Sequence, residues 1–432
     1  MEPFDDAYLK EKDIKHMSFH AYLRKIRGFK KSSLNRFPLE NISCKIKKGC
    51  NNHRPWPQGI CDKCRPSDIT LNRQNYRHID NISFENNLLV SRFIDYWRTS
   101  GHQRIGFLFG NYEEHLDVPL GIRGVTAAIY EPPQISMTQH SIELLEDAKS
   151  ALVDQLAECL GLKRIGWIFT DLTPDPQKSA CVKYTRNKDT YFLSAEECIT
   201  AGYFQNQYLN SSKYCTDGYF GSKFATVILT GDNEQQIQPF GYQVSNQCAS
   251  LVEGQCLVPT KDAPELAYAK ESSQEQYVPA VYYVAKDEYG NDVRKIGQPL
   301  PVEYLIIDVP ASMPIEQRFF FTAKNNVDGF PIENRTSINQ NQNTAAVSKY
   351  CSQFNDNDAL EMFSDFHFLL YLLTNETLAF SINDITPLCE AVKTKNCQII
   401  VEWASSNEKW AMFKDLLAMN EEDFYCRPIL SN

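Results

Sequence analysis

No apolar run in the sequence is long enough to span a membrane. Its most apolar stretches, such as Tyr304–Val309 and Phe366–Leu373, fall far short of the roughly 20 residues a spanning helix needs, so direct membrane insertion is not expected. No apolar leader opens the chain, which begins MEPFDDAYLK, and its 14 cysteines are therefore expected to sit in a reducing compartment rather than in a disulfide framework. There is no Gly-x-Ser-x-Gly elbow, no Gly-rich phosphate-cradling loop and no His-Glu-x-x-His pair, which removes the common signatures of serine hydrolases, nucleotide binding and zinc proteases. No segment recurs at a fixed period, against a solenoid or propeller. What remains is a globular composition of 432 residues, 43% hydrophobic and 23% charged, too long for one core and sufficient for two or three packed units.

The net charge of −10 is unevenly spread: residues 1–80 hold 17 Lys and Arg against 9 Asp and Glu, so the acidity lies in the remainder. A basic leading segment suits an acidic protein face. Without an Arg-rich run or a basic patch interleaved with aromatics, nucleic acid is not the expected partner.

Residues 1–40 read as a tethering segment. Within it Phe19, Tyr22, Leu23 and Ile26 recur at helical spacing, predicting one amphipathic helix whose simplest resting place is the chain's own body. From Asn81 helix and strand alternate. FENNLLVSRFIDYWRTSG reads as a helix closed by Gly101, RIGFLFG (104–110) as a buried strand, and RGVTAAIYEPPQ (123–134) as a strand stopped by Pro132 and Pro133. A helix is expected over 144–162 and another apolar strand over 164–172. Ser194 and Glu197 form a Ser-x-x-Glu capping box that opens a helix to 208. KFATVILTG and IQPFGYQVS flank turn residues and predict a hairpin; YGND marks a second, and 302–310 a short buried strand. The Asn/Gln-rich stretch 334–349 reads as a linker, and 350–432 as a bundle of three helices. Cys159, Cys181, Cys198, Cys215, Cys248 and Cys256 lack the C-x2-C spacing of a second zinc site and read as small buried residues.

Four residues that can ligate a metal fall within 41–80: Cys50, His53, Cys61 and Cys64, spaced C-x2-H-x7-C-x2-C. Pairs two residues apart can turn both side chains onto one ion, and four protein ligands leave no open position for water, which predicts one structural Zn2+. Cys44 could substitute for one ligand, and Gly59 is expected to let the backbone bend. Arg54, Trp56, Lys63 and Arg65 would form an exposed tip.

The strand RIGWIFTDL followed by LSAEECITAG resembles the heart of an MPN domain, in which a catalytic Glu, two His and a Ser-x-x-Asp hold and use a zinc. Set against that pattern, Gln103 stands for the Glu, Phe169 and Asp171 for the two His, Leu172 for the following Pro, and Ser194 and Glu197 for Ser and Asp. Phe cannot ligate and Gln cannot carry a proton, so the resemblance implies a catalytically dead core with no catalytic residues. The 22 residues between Asp171 and Ser194 also exceed the short spacing of the active motif.

Longer segments carry a wider resemblance. LENISCKIKKGCNNHRPWPQGICDKCRPSDITLNRQNYRH, YEPPQ, NKDTYFLSAEECITAG, YQVSNQC and KDAPELAYAKES are similar to the nuclear protein localization protein 4 family across nearly the whole chain. The fold so implied is α+β: a zinc-binding loop (41–80), a dead MPN (JAMM-like) α/β core with β-hairpin insertions (81–333), a linker (334–349) and a C-terminal helical domain (350–432). Family members also carry a ubiquitin-like domain and a first zinc loop ahead of the equivalent of Met1, so the resemblance implies a chain shortened before its second zinc loop. It further implies an adaptor that pairs with ubiquitin fusion degradation protein 1, sits on the hexameric AAA ATPase valosin-containing protein, recruits polyubiquitin and ubiquitinated substrates, and holds an unfolded ubiquitin segment in an apolar groove of the MPN core for ubiquitin-dependent unfolding and endoplasmic-reticulum-associated degradation. Its expected location is the cytoplasm and nucleus, peripherally at the endoplasmic reticulum and nuclear envelope. The competing expectations are an MPN scaffold or a zinc-ribbon nucleic-acid binder, neither of which binds ubiquitin.

Overall fold

The apolar stripe near the start of the chain forms the helix Phe19–Phe29. Its Ala21 and Leu23 join Met17, Leu39, Tyr76 and Phe220 in a small core, with Phe19, Tyr22 and Ile26 packed against it, so this helix rests on its own chain. The computed structural model describes every residue except 1–3, 30–37, 139–140, 179, 315, 322–327, 356–357, 378–379 and 426–432; part of the expected tethering segment lies outside the described residues. The fold is mixed α+β, with its last 80 or so residues helical. Two compact units make it up, one of residues 1–82, 112–124 and 172–311, the other of residues 83–111, 125–171 and 312–432.

The first unit is built on the expected hairpin. Strands Ala225–Gly231 and Ile237–Val244 pair antiparallel, with Val227 opposite Gly241. Ile306–Val309 joins on the other side of Ile237–Val244. The turn closes because the Asp232 carboxylate accepts the amides of Glu234 and Gln236 at 2.9 and 2.8 Å, the local bonding for which Asp is favoured in turns. Every residue of Ala225–Gly231 is buried, as a central strand requires. The strand expected over 302–310 starts only at Ile306, because Val302–Tyr304 winds into a 3-10 turn. The helix Ala195–Gln207 opens on the predicted capping box, with Ser194 Oγ accepting the Glu197 amide and Glu197 accepting the Ser194 amide. Its buried Gln205 side chain accepts the Val244 amide and donates to the Val244 carbonyl, which satisfies a backbone pair inside the unit.

The second hairpin also forms. Strands Val281–Lys286 and Asp292–Ile296 pair across a turn in which Asp287 accepts the Tyr289 and Asn291 amides and Gly290 takes φ +82°, a left-handed conformation that favours glycine. Asp292–Ile296 is exposed throughout. Val281–Lys286 pairs on its other side with Ile69–Leu71, in parallel, Tyr282 standing opposite Thr70.

In the second unit, the helix Asn87–Ser100 is capped by Asn86, which accepts the Leu89 amide, and stopped by Gly101 at φ +74°. Strand Ile105–His115 pairs antiparallel with Lys163–Thr170, Ile105 opposite Phe169 and Phe107 opposite Trp167; Gly121–Tyr130 lies on its other side. Gly110 admits that neighbour, since a Cβ there would stand 1.9 Å from the Val125 carbonyl oxygen. The helix expected from 144 begins only at Ser150. Residues Ser141–Leu144 form a strand against Gln134–Thr138, and Asp147 accepts the Lys149 amide and the Tyr130 hydroxyl, turning the chain before the helix.

Among the described residues, the three helices expected at the C-terminal end are five: Ala359–Phe363, Phe366–Thr374, Ile382–Thr394, Cys397–Ser406 and Glu408–Tyr425. The breaks have local causes. Asp365 caps a new helix by accepting the His367 and Phe368 amides, and Lys395 goes left-handed at φ +56° while Asn396 caps the next helix through the Gln398 amide. Phe366–Leu373 is buried around its whole circumference, as a helix without a polar face must be. Aromatic rings of Phe330, Tyr350, Phe368 and Tyr371 meet at 5.0–5.4 Å, and Phe363 packs edge-on to Trp403 and Trp410.

At the centre of this unit is a buried charge network that sequence reasoning missed. Glu131, 0% exposed, takes hydrogen bonds from Arg104 Nε at 2.6 Å and from Arg335 Nε and Nη2 at 3.0 and 2.5 Å. Arg335, 1% exposed, also donates to the Arg92 carbonyl, and Arg104 to the Asn334 carbonyl while lying over the Tyr96 ring. The Asn/Gln-rich stretch thus carries a deeply buried anchor at Arg335, and a helix, Thr344–Cys351, begins within it.

Candidate functional site

The structure brings Cys50, His53, Cys61 and Cys64 together, their ligand atoms all within 4.8 Å of one another. Cys50 Sγ lies 3.5 Å from Cys61 Sγ, Cys61 Sγ 3.7 Å from Cys64 Sγ, and His53 Nε2 3.1 Å from Cys64 Sγ. A tetrahedral zinc with Zn–S bonds of about 2.3 Å has sulfur–sulfur edges of about 3.8 Å, so the four donors converge on the scale of one ion. His53 Nδ1 donates to the Arg54 carbonyl at 2.6 Å. That bond fixes the tautomer whose Nε2 lone pair faces the cysteines, the outer-shell arrangement usual for a metal-binding imidazole. The Cys61 thiol is drawn down to about 6, first by the Cys64 backbone amide and then by Cys50 and the Lys63 amide, which favours the thiolate a metal needs. Among the described residues this is the one cluster of three or more such ligands.

Gly59 acts differently from the expected bend. Its role is a close approach: a Cβ there would stand 3.0 Å from the Arg54 carbonyl oxygen and 3.2 Å from His53 Cβ and Nδ1. Gly59→Ala is expected to push away the carbonyl that orients His53 and to weaken zinc retention by about 10-fold or more, read as release at a lower concentration of a competing chelator; unchanged retention would show that the orienting bond is dispensable.

The loop is rooted rather than free. Trp56, placed by the sequence at an exposed tip, donates its indole N–H to the Ser273 carbonyl at 2.9 Å and packs edge-on to Tyr277. Arg54, Lys63 and Arg65 do remain exposed. Lys47 donates its amide to the Cys64 carbonyl, and Lys45 pairs with Glu253 at 2.7 Å. Cys44 stands apart from the cluster, its Sγ donating to the Ser250 carbonyl at 3.4 Å.

The residues compared with a metalloprotease site have other occupations. In the second unit, Phe169 is 5% exposed and stacks on Trp167 at 4.8 Å, and Gln103 is 3% exposed. Asp171 is half-buried and Leu172 buried. In the first unit, both carboxylate oxygens of Glu197 take Arg186 guanidinium bonds at 2.6 and 2.7 Å while one also accepts the Ser194 amide. Ser194 and Glu197 therefore work as a helix cap and an ion pair.

The first unit also holds an open groove of about 720 Å3. Its walls are rich in amides, among them Asn72, Asn75, Gln205, Asn206 and Gln247, with Tyr219 exposed at the rim. Gln205 and Gln247 are spent on backbone groups of the chain itself and Asn206 donates to the Ala249 carbonyl, whereas exposed Leu209, beside Tyr219, offers apolar contact. Sequence reasoning did not find this groove, whose residues come from six separated stretches.

A mixed α+β fold with a four-ligand Cys/His cluster defines a class of zinc-binding α+β proteins. Within it the chain belongs to the NPL4 family, whose profile matches residues 104–418, while that described as "NPL4 family, putative zinc binding region" matches residues 1–101. The Nuclear protein localization protein 4 homolog of Homo sapiens is 53% identical over 419 residues, 96% of this chain and 68% of that protein. The Caenorhabditis elegans homolog 1 is 50% identical over 427 residues (97% and 80%), and the Candida glabrata protein 37% over 391 residues (88% and 67%). These relatives are named as localization proteins and not as enzymes. The zinc-region match and the cluster geometry are together consistent with one structural Zn2+. Among the described residues no helix is long and apolar enough to cross a membrane.

Proposed function

We propose that this chain is a non-catalytic, substrate-recruiting adaptor of an AAA ATPase segregase of the valosin-containing protein type, acting with ubiquitin fusion degradation protein 1. In this reading it binds polyubiquitin and holds an unfolded ubiquitin segment in the amide-lined groove, for ubiquitin-dependent unfolding and endoplasmic-reticulum-associated degradation. It would act in the cytoplasm and nucleus, reaching the endoplasmic reticulum and nuclear envelope through partners. The reading takes 81–333 as an MPN-like domain whose ligands are replaced at Gln103, Phe169, Asp171 and Glu197, between the zinc loop at 41–80 and, past 334–349, the helical domain at 350–432. Cys50, His53, Cys61 and Cys64 are its zinc ligands, and the metal's part is to hold the loop's shape.

The observation that carries this reading is the commitment of Glu197: a carboxylate with both oxygens on Arg186 is not available to a catalytic metal. The groove's exposed Leu209 and Tyr219 support it, as apolar contacts for an unfolded segment. The test is to incubate the chain, alone and with the segregase and its partner, with polyubiquitin and to score retention and cleavage together. Intact chains retained on the complex are expected. Cleaved chains would sink the reading, as would substrate unfolding that persists undiminished in a Leu209→Ala, Tyr219→Ala variant that still docks on the ATPase.

A further inference from the structure

Cys44 and Cys256 were read as unrelated thiols, one a spare zinc ligand and the other a small buried residue. The fold places them against each other. Cys44 Sγ donates to the Ser250 carbonyl at 3.4 Å and Cys256 Sγ to the Gly254 carbonyl at 3.3 Å, both at the C-terminal end of the helix Asn246–Glu253. Between them is Gly254. A Cβ on that residue would stand 2.6 Å from Cys44 Cβ and 3.0 Å from Cys256 Sγ. Gly254 has φ −76°, which any residue adopts, so the backbone does not call for glycine here; the approach of the two cysteines does. The pair is 4% and 0% exposed, out of reach of bulky oxidants.

We propose that Cys44 and Cys256 form a dithiol modification site that takes up two oxidising equivalents from hydrogen peroxide and closes as a disulfide. The two thiols are unequal. Cys256 is drawn down, first by the neighbouring Cys44 and then by Lys270, whereas Cys44 is pushed up by Cys256 and by burial. Cys256 is therefore the attacking sulfur. Its thiolate displaces hydroxide from peroxide, which leaves as water once protonated, and becomes a sulfenic acid. Cys44 sulfur then attacks Cys256 sulfur; the S–S bond forms, the S–O bond breaks and a second water leaves. Two thiols are oxidised and one peroxide is reduced to two waters.

The site's position gives the closure a consequence. Ser43 and Ser250, beside and beneath Cys44, line the groove, and the chain from Lys45 leads into the zinc loop. That wall is otherwise held by the Asn41 amide on Asp217 and by the exposed Lys45–Glu253 pair, the latter worth little. A covalent link fixes the wall. This last step, unlike the chemistry, rests on the adaptor reading above.

The test treats the zinc-loaded full chain with peroxide, alkylates the remaining thiols and maps non-reduced peptides by mass. A Cys44–Cys256 linked peptide, two hydrogens lighter and released by dithiothreitol, is the expected result. It should be absent in Cys44→Ser and slowed in Gly254→Ala, which keeps both thiols and so reads the pairing even where the serine variant folds poorly. Both cysteines still alkylated after peroxide, or Cys256 over-oxidised without a link, would overturn the proposal. A link that forms but leaves polyubiquitin retention unchanged would overturn control of the groove; loss of retention in the reduced chain would count against the adaptor reading alone.

Discussion

Glu131→Ala is expected to lower the unfolding free energy of the chain by about 3–5 kcal/mol, because it strands two buried guanidinium groups with no counter-charge. Arg104 and Arg335, 2% and 1% exposed, would keep only neutral partners, among them backbone carbonyls, the Gln340 amide and the Tyr96 ring. By contrast, Arg73→Ala, which removes the pair with Glu303 between side chains 70% and 56% exposed, should cost no more than about 1 kcal/mol. Urea unfolding of the two variants beside the parent chain makes the comparison. If Glu131→Ala costs no more than Arg73→Ala, the network does not hold the second unit together. Replacing all three charged residues by apolar ones of similar volume should recover much of the loss, since what is costly is the unpaired charge rather than the absence of the pair.

The second large effect is at the metal. Purified chain is expected to carry one zinc, and Cys61→Ser to carry almost none, since one missing thiolate leaves three donors where a structural site needs four. Structural zinc in small loops contributes about 10–16 kcal/mol of apparent binding free energy at neutral pH, so its loss should be felt as unfolding of the loop. The cleanest readouts are metal content and the sensitivity of residues 45–65 to protease. Acid should reproduce the variant: protons compete with the metal for three thiolates and an imidazole, so zinc retention falls as pH falls. A Cys61→Ser chain that keeps full zinc would remove Cys61 from the ligand set.

The cluster was legible because metal chemistry constrains spacing locally: two pairs, each two residues apart, announce themselves within 15 positions. The capping box at Ser194 and both hairpins were legible for the same reason, each being written in a few consecutive residues. What the sequence concealed are features made by residues far apart. Glu131 ends an apolar strand and Arg335 sits in a polar stretch that looks like spacer; only the fold joins them across more than 200 residues. A charged residue directly after an apolar run, Glu131 behind Val125–Tyr130, was the one available hint. The C-terminal helices were under-counted because Asp365 and Asn396 interrupt continuous helical periodicity, and a cap inside an apolar run is a weak signal. Gly59 and Gly254 taught the same lesson at atomic scale: neither has positive φ, and both are small because something must come close.

The parallel pairing of Ile69–Leu71 with Val281–Lys286 also sets a timetable for biosynthesis. The strand that follows the metal cluster leaves the ribosome long before its partner exists; at ordinary translation rates the roughly 200 intervening residues take on the order of 10–40 s. During that interval Trp56 has no Ser273 or Tyr277 to dock against. A nascent loop with three free thiols has none of these partners during that interval, and zinc captured early would hold its shape until they arrive.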